Sequence, residues 1–291
     1  MRDDGSTDGT VGLLEAAAAQ DPRIVLVHDG RGNLGPARSF GVLMETALAA
    51  GAAHVGFADQ DDVWEPGKLE EELGLLRDRE AELGHQVPLL VHSDLSVVDE
   101  DLRLIHPSFF AHQRVGPGDH ILARLLVQNF VAGCTMVINR SLLRASLPLP
   151  DVIMHDWWVA LCAAALGEVR RDPRPTVKYR QHGGNAAGSR SWLRTAVGGA
   201  AHPVRWWRAS RATFAATVAQ ACALAVRLER EGSADATSRA PALVREYCGA
   251  FSRGTDVLSR IRTVRRHRVE PRSVLGAPIF HYARVALWPG G

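Results

Sequence analysis

The residues best suited to chemistry are Asp59-Gln60-Asp61-Asp62, which directly follow the apolar run Ala53 to Ala58. Carboxylates two apart at a strand end can hold Mg2+ or Mn2+ against a diphosphate, because both cations want oxygen ligands and share their shell with phosphates. The same four residues serve equally as a solvated acidic turn that caps the next helix. Asp3-Asp4-Gly5-Ser6-Thr7-Asp8 is a second acidic turn, in which glycine permits the tight bend and a side-chain oxygen caps the helix expected from Val11. In Asn33-Leu34-Gly35-Pro36-Ala37-Arg38 the arginine stands one turn inside a helix, placed for directional phosphate contacts or simply for solvent. Met154-His155-Asp156-Trp157-Trp158 sets a carboxylate beside two indoles, the makings of a general base with sugar-stacking faces, or of an N-cap. In Tyr179-Arg180-Gln181-His182-Gly183, Arg180 suits a diphosphate, and His182 suits a metal shell or a phosphate.

These stretches fall between alternating elements. Ile24–His28, Ala53–Ala58, Leu89–His92, Phe130–Ile138 and Thr176–Arg180 are short apolar runs of strand type. Helical patterns fill Val11–Gln20, Pro36–Ala50, the stretch from Pro66 with Leu69, Leu73, Leu76 and Leu83, His120–Asn129 and Asp156–Leu166. The alternation predicts an α/β fold, a mainly parallel sheet flanked by helices, with ligands at the carboxyl ends of its strands. After Gly188 the composition turns to alanine and arginine. Trp207, Phe214, Val218, Ala221, Ala225 and Leu228 share one helical face, so a boundary is expected near Arg190 and a helical C-terminal region beyond it.

The whole chain of 291 residues carries a net charge of only +2, but the charge is divided. Arg190–Gly291 holds 17 basic and 6 acidic residues, and the remainder holds 17 and 26. An acidic front suits a metal and its anionic substrate, and a basic back suits phosphate-bearing or membrane surfaces. Cys134, Cys162, Cys222 and Cys248 form no CxxC pair, which points to a reducing cytoplasm rather than a disulfide framework. No signal peptide follows Met1, and no uninterrupted apolar run approaches the length of a membrane span. Nucleic acid is not an expected partner, since no recognition motif accompanies the arginines.

Taken in order, DDGSTDGT, NLGPAR, DQDDVW, VHSD, QNFVAGCTMVINR, MHDWW and YRQHGGN resemble glycosyltransferase family 2, and most closely its bacterial rhamnosyltransferase-like members. The resemblance covers about Arg2 to Gly188. It implies a GT-A (Rossmann-like) fold and inverting, metal-dependent transfer of a sugar, with L-rhamnose suggested. The donor would be dTDP-rhamnose or a UDP-sugar, and the acceptor a glycan or lipid-linked glycan at the inner face of the cell membrane. It implies Asp156 as catalytic base and Asp3 or Asp4, with Asp59, on the nucleotide sugar, where Arg38 and Arg180 would add phosphate contacts by their own chemistry. Asp61, Asp59 and His182 would hold Mg2+ or Mn2+, and Gly133, Cys134, Thr135, Trp157 and Trp158 would line the acceptor. Family members place a further strand and helix ahead of DDGS, so the natural start is expected several tens of residues upstream of Met1. A catalytically inactive, truncated domain serving as a binding or assembly module is the alternative.

Overall fold

The structure, a computed structural model, describes residues 1–113, 119–181, 203–231, 239–271 and 277–288. Two helices come first, α1 (Thr10–Gln20) and α2 (Pro36–Ala49), the second with proline in its first turn, where a missing N–H costs nothing. There follow β1 (His54–Gly56), β2 (Val63–Trp64), α3 (Lys68–Leu83), β3 (Leu89–Val98) and β4 (Leu104–His106). Next are α4 (Phe109–Gln113), α5 (Ile121–Leu125), β5 (Met136–Asn139), α6 (Arg140–Ser146), α7 (His155–Leu166) and β6 (Glu168–Arg180).

The sheet runs β1-β5-β3-β6-β2, with β4 paired to β3. Its spine is the long parallel pair β3–β6, in register from Leu89 with Glu168 to Val98 with Arg180, with shifts around Asp94. The other described pairings are antiparallel, so the α/β class holds while the expected parallel majority does not. The reason lies in β5. It inserts between β1 and β3 and runs against both, so those two strands share a direction without touching. Ile24–His28 is extended chain rather than a strand. Met1 N–H donates to Val25 O and Val27 N–H to Met1 O, two bonds in the parallel pattern around Leu26.

Burial departs from the apolar pattern in α3. Leu69 and Leu83 are exposed, and the buried stripe is Lys68, Glu72, Leu76 and Glu80, one residue per turn. Those charges are buried in pairs: Lys68 with Glu72, Thr176 Oγ1 to Glu72 Oε1 at 2.9 Å, and Glu80 with His54 at 2.9 Å. Asn139 turns the chain from β5 into α6. Its Oδ1 accepts from Leu142 N and Leu89 N, each at 3.0 Å, and its Nδ2 donates to Val87 O.

After the site strands come α8 (Pro203–Glu231), α9 (Ala240–Ala250), α10 (Val257–Arg266) and α11 (Ala277–Ala286). Phe214, Val218, Ala221, Leu224 and Leu228 of α8 join one hydrophobic cluster with Trp158, Leu161 and Ala165 of α7 and Leu142 of α6. By length and composition α8 is apolar enough to cross a membrane, contrary to expectation, though 33% of that stretch is buried inside the protein. Polar contacts lock it in place: the Arg227 guanidinium donates to Leu147 O and Pro148 O, and Gln220 Oε1 accepts from Ile153 N.

Candidate active site

Three turns converge at the ends of β1, β6 and the segment before β5. Asp59 and its neighbours leave β1, Cys134 sits in a 3-10 turn at Gly133–Thr135, and Tyr179 and Arg180 end β6. Arg180 clamps the acidic turn. Its backbone N–H donates to Asp62 Oδ1 at 3.1 Å, its Nε to Asp61 O at 2.9 Å and its Nη1 to Glu100 O. The fold thereby gathers negative charge out of water. Asp59 is pushed up to about 6 by burial and then by the charges of Asp62 and Asp61, and Asp62 is raised chiefly by burial. Tyr179 is raised for the same causes.

Among the described residues, ligand atoms of Asp59, Asp62 and Cys134 lie within 4.8 Å of one another. Asp62 Oδ2 is buried with no hydrogen bond of good geometry, an orphan lone pair of the kind a cation would satisfy. Burial and the adjacent carboxylates hold the Cys134 thiol well above its ordinary pKa, so it stays protonated and the charge on offer is all oxygen. That donor set fits Mg2+ or Mn2+. Asp62 enters this group without having been singled out by sequence. Its signal was the third acid of DQDD.

Asp156 opens α7, 9% exposed, in the first turn where a carboxylate is favoured. Its Oδ2 accepts from Gly133 N at 3.1 Å and its Oδ1 from Asn129 Nδ2 at 3.2 Å. Burial lifts it to about 7 with help from the charge on Asp59, and the hydrogen bonds from Trp157 N, Gly133 N and Asn129 Nδ2 offset that only in part. A carboxyl poised near neutrality can take up and release a proton at ordinary pH. Asn129 is the orienting residue that sequence reading passed over, although it stands within the QNFVAGC stretch. His155 is buried with neither ring nitrogen partnered, stacked on Phe40 of α2 at 3.9 Å, and burial lowers it to about 3. It acts as a neutral plate joining α2 to α7.

Several expected contacts are placed otherwise. Trp158 is fully buried with its indole N–H on Ser146 O at 2.8 Å, and Trp157 donates to Leu125 O at 2.6 Å. Both are core anchors of α7 and do not line an acceptor pocket. Thr135 is buried with its hydroxyl on Ala132 O, and Cys134 faces the carboxylates, so neither side chain is open to an acceptor. Gly133 holds the base through its N–H. Asp4 accepts from Leu34 N and Gly35 N, each at 2.8 Å, and from Arg2, tying the first turn to the start of α2. Asp3, half-buried, forms its own turn with Gly5 and Ser6 and is lowered by the Ser6 hydroxyl and backbone N–H. Arg38, 65% exposed, pairs with Asp151 at 3.3 Å on the loop before α7. An exposed pair of that kind contributes about 0–1 kcal/mol and exchanges readily for a phosphate. His182 lies outside the described residues.

The combination is an α/β protein with an acidic turn whose oxygens fit a cation, near the buried carboxyl of Asp156. Residues 1–118 match the family described as Glycosyl transferase family 2. That matched region holds Asp3, Asp4, Arg38, Asp59 and Asp61, and over it the chain is similar to that family. It is similar to dTDP-rhamnosyl transferase RfbG of Shigella flexneri, 23% identical over 203 residues, covering 65% of this chain and 64% of that protein.

Proposed function

We propose that the protein transfers a sugar from a nucleoside-diphosphate donor to a hydroxyl of a glycan or lipid-linked glycan, with inversion, and that the sugar is L-rhamnose from dTDP-rhamnose. The observation that carries this reading is Asp156, a buried carboxyl near neutrality, held by Gly133 and Asn129 within the field of Asp59. A divalent cation at the carboxylate turn, Mg2+ or Mn2+, supplies positive charge for the leaving diphosphate. Asp59 and Asp62 would hold it, with Asp61 on the same turn; Arg180 keeps that turn in shape, and Arg38 stands ready for phosphate. Asp3 would meet the nucleotide, while Asp4 holds the two turns together. Asp156 accepts the proton as the acceptor oxygen attacks the anomeric carbon on the face opposite the leaving group, which inverts that carbon.

The chain spans 64% of that relative's length. The test is release of nucleoside diphosphate from a panel of sugar nucleotides, with dTDP-rhamnose expected to be the best. Turnover of UDP-hexoses without turnover of dTDP-rhamnose rejects the sugar. No release from any donor, with donor still bound, favours a binding or assembly module. The family likeness and the divided charge support a cytoplasmic setting at the inner face of the membrane.

A further inference from the structure

α8 and α11 begin side by side. Trp206 of α8 stands edge-on to Phe280 of α11, ring centroids 4.9 Å apart. Around that contact large apolar side chains face solvent: Val204 is 65% exposed, Ile279 74% and Phe280 46%. Arg205 and Arg208 are exposed on the same first turns of α8. With 3.6 residues per turn, Val204, Arg205 and Arg208 point away from the face that Phe214, Ala221 and Leu224 bury in the core. On α11, Ile279 projects between the Phe280 side, against α8, and the Tyr282 side, where Arg265 of α10 lies over the ring at 5.4 Å.

The charge around this surface is one-sided. The described residues from Pro203 onward carry fourteen arginines and five acids. Neither α8 nor α11 has an acid in its first turn, the position where the helix dipole favours one. Scattered exposed aliphatics are ordinary, and so are solvated arginines. Here aromatic and aliphatic side chains gather at two adjoining helix starts with guanidinium groups beside them. That composition belongs at a lipid interface, where apolar groups enter the headgroup boundary and arginines reach phosphate. A nucleic-acid backbone would use the arginines and leave Val204 and Ile279 without a partner.

We propose that the joined N-terminal turns of α8 and α11 dock on an anionic lipid bilayer, with Val204, Trp206, Ile279 and Phe280 entering the headgroup boundary and Arg205 and Arg208 on lipid phosphates. This deepens the reading of a lipid-linked acceptor and rests on it for its purpose, though lipid binding is measured without catalysis. The experiment is sedimentation of the full chain with vesicles of equal parts phosphatidylglycerol and phosphatidylcholine, against pure phosphatidylcholine, across a salt series. Binding is expected to the anionic vesicles alone and to weaken with salt. Arg205→Gln and Arg208→Gln should each lower it about fivefold, the weight of one basic side chain near such a surface. Ile279→Asn should lower it at every salt concentration, while its thermal melt and donor binding match the parent chain. No binding at low salt by a chain that melts normally overturns the proposal, as does equal binding by the three variants or by pure phosphatidylcholine. Tighter binding to duplex DNA or RNA than to the vesicles also overturns it, in favour of nucleic acid. Lost lipid binding with nucleoside-diphosphate release intact defeats only this surface. Lipid binding without release from any donor defeats only the transferase reading.

Discussion

Replacing Asp156 should strengthen the fold at neutral and alkaline pH while destroying the proposed activity. Asp156 is buried, and its proton is held to about 7 against an ordinary 3.8. At about 1.4 kcal/mol for each tenfold change in the proton equilibrium, ionising it inside the protein costs roughly 4 kcal/mol more than in the unfolded chain. A carboxyl raised in this sense stabilises the fold while protonated, and that contribution is fully present below about pH 4. It is lost as pH climbs through about 7. Asp156→Asn removes the titration. Its amide oxygen can still accept from Trp157 N and Asn129 Nδ2, but Gly133 N then faces a donor and goes unpaired, a loss of about 1 kcal/mol. The variant should therefore be about 1 kcal/mol less stable than the parent at pH 4 and roughly 2–3 kcal/mol more stable at pH 8. Urea titrations of both proteins across that range measure the difference. Over the same range kcat should fall by ~10²–10⁴-fold. A stability difference that does not change with pH would refute the account of Asp156 as a carboxyl held out of water.

Asn129→Leu removes a hydrogen bond that lowers the Asp156 pKa, so the acid limb of kcat/KM should move to higher pH; an unmoved limb with lower kcat would make Asn129 merely structural. Excess EDTA should abolish nucleoside-diphosphate release and Mn2+ or Mg2+ restore it, with Asp59→Asn blocking the rescue, and full turnover in chelator would refute the cation site. In Gly133→Ala the new methyl would sit 3.1 Å from His155 Nε2 and 3.6 Å from Asp156 Cβ. The base should be displaced and kcat drop by about 10²-fold with donor affinity kept; unchanged kcat would refute the tight fit.

What the sequence disclosed depended on whether a residue's type implied its partner. Asp59 and Asp156 stood out as acids at a strand-end turn and a helix start, positions equally open to capping, while Asp62 in the turn of Asp59 was distinguished only by its buried, unpaired oxygen. Trp157 and Trp158 misled because an indole is equally at home against a sugar and in a core, and only the carbonyls of Leu125 and Ser146 decide between them. The stripe of α3 was misread because Glu72 and Glu80 find buried partners on β6 and β1, contacts more than twenty residues away in sequence. The position of β5 was hidden for a similar reason. Its four residues read as one more strand, and nothing local in them states that they run against both neighbours.

The anchoring of α8 fixes a length. At 1.5 Å per residue its 29 residues form a strut of roughly 43 Å. Its first turn bears the proposed lipid surface. Gln220 and Arg227, about 24 Å and 35 Å further along, grip the loop that delivers Asp156 to the site. Bilayer contact and chemistry are thus offset by a rigid spacer. Were the bilayer to meet that first turn and Asp156 to serve as base, an acceptor on a lipid carrier would have to bridge that distance to be used. Removing one helical turn between Arg208 and Gln220 would shorten the strut by about 5.4 Å, and the acceptors used would then shift toward shorter carriers if that reach matters.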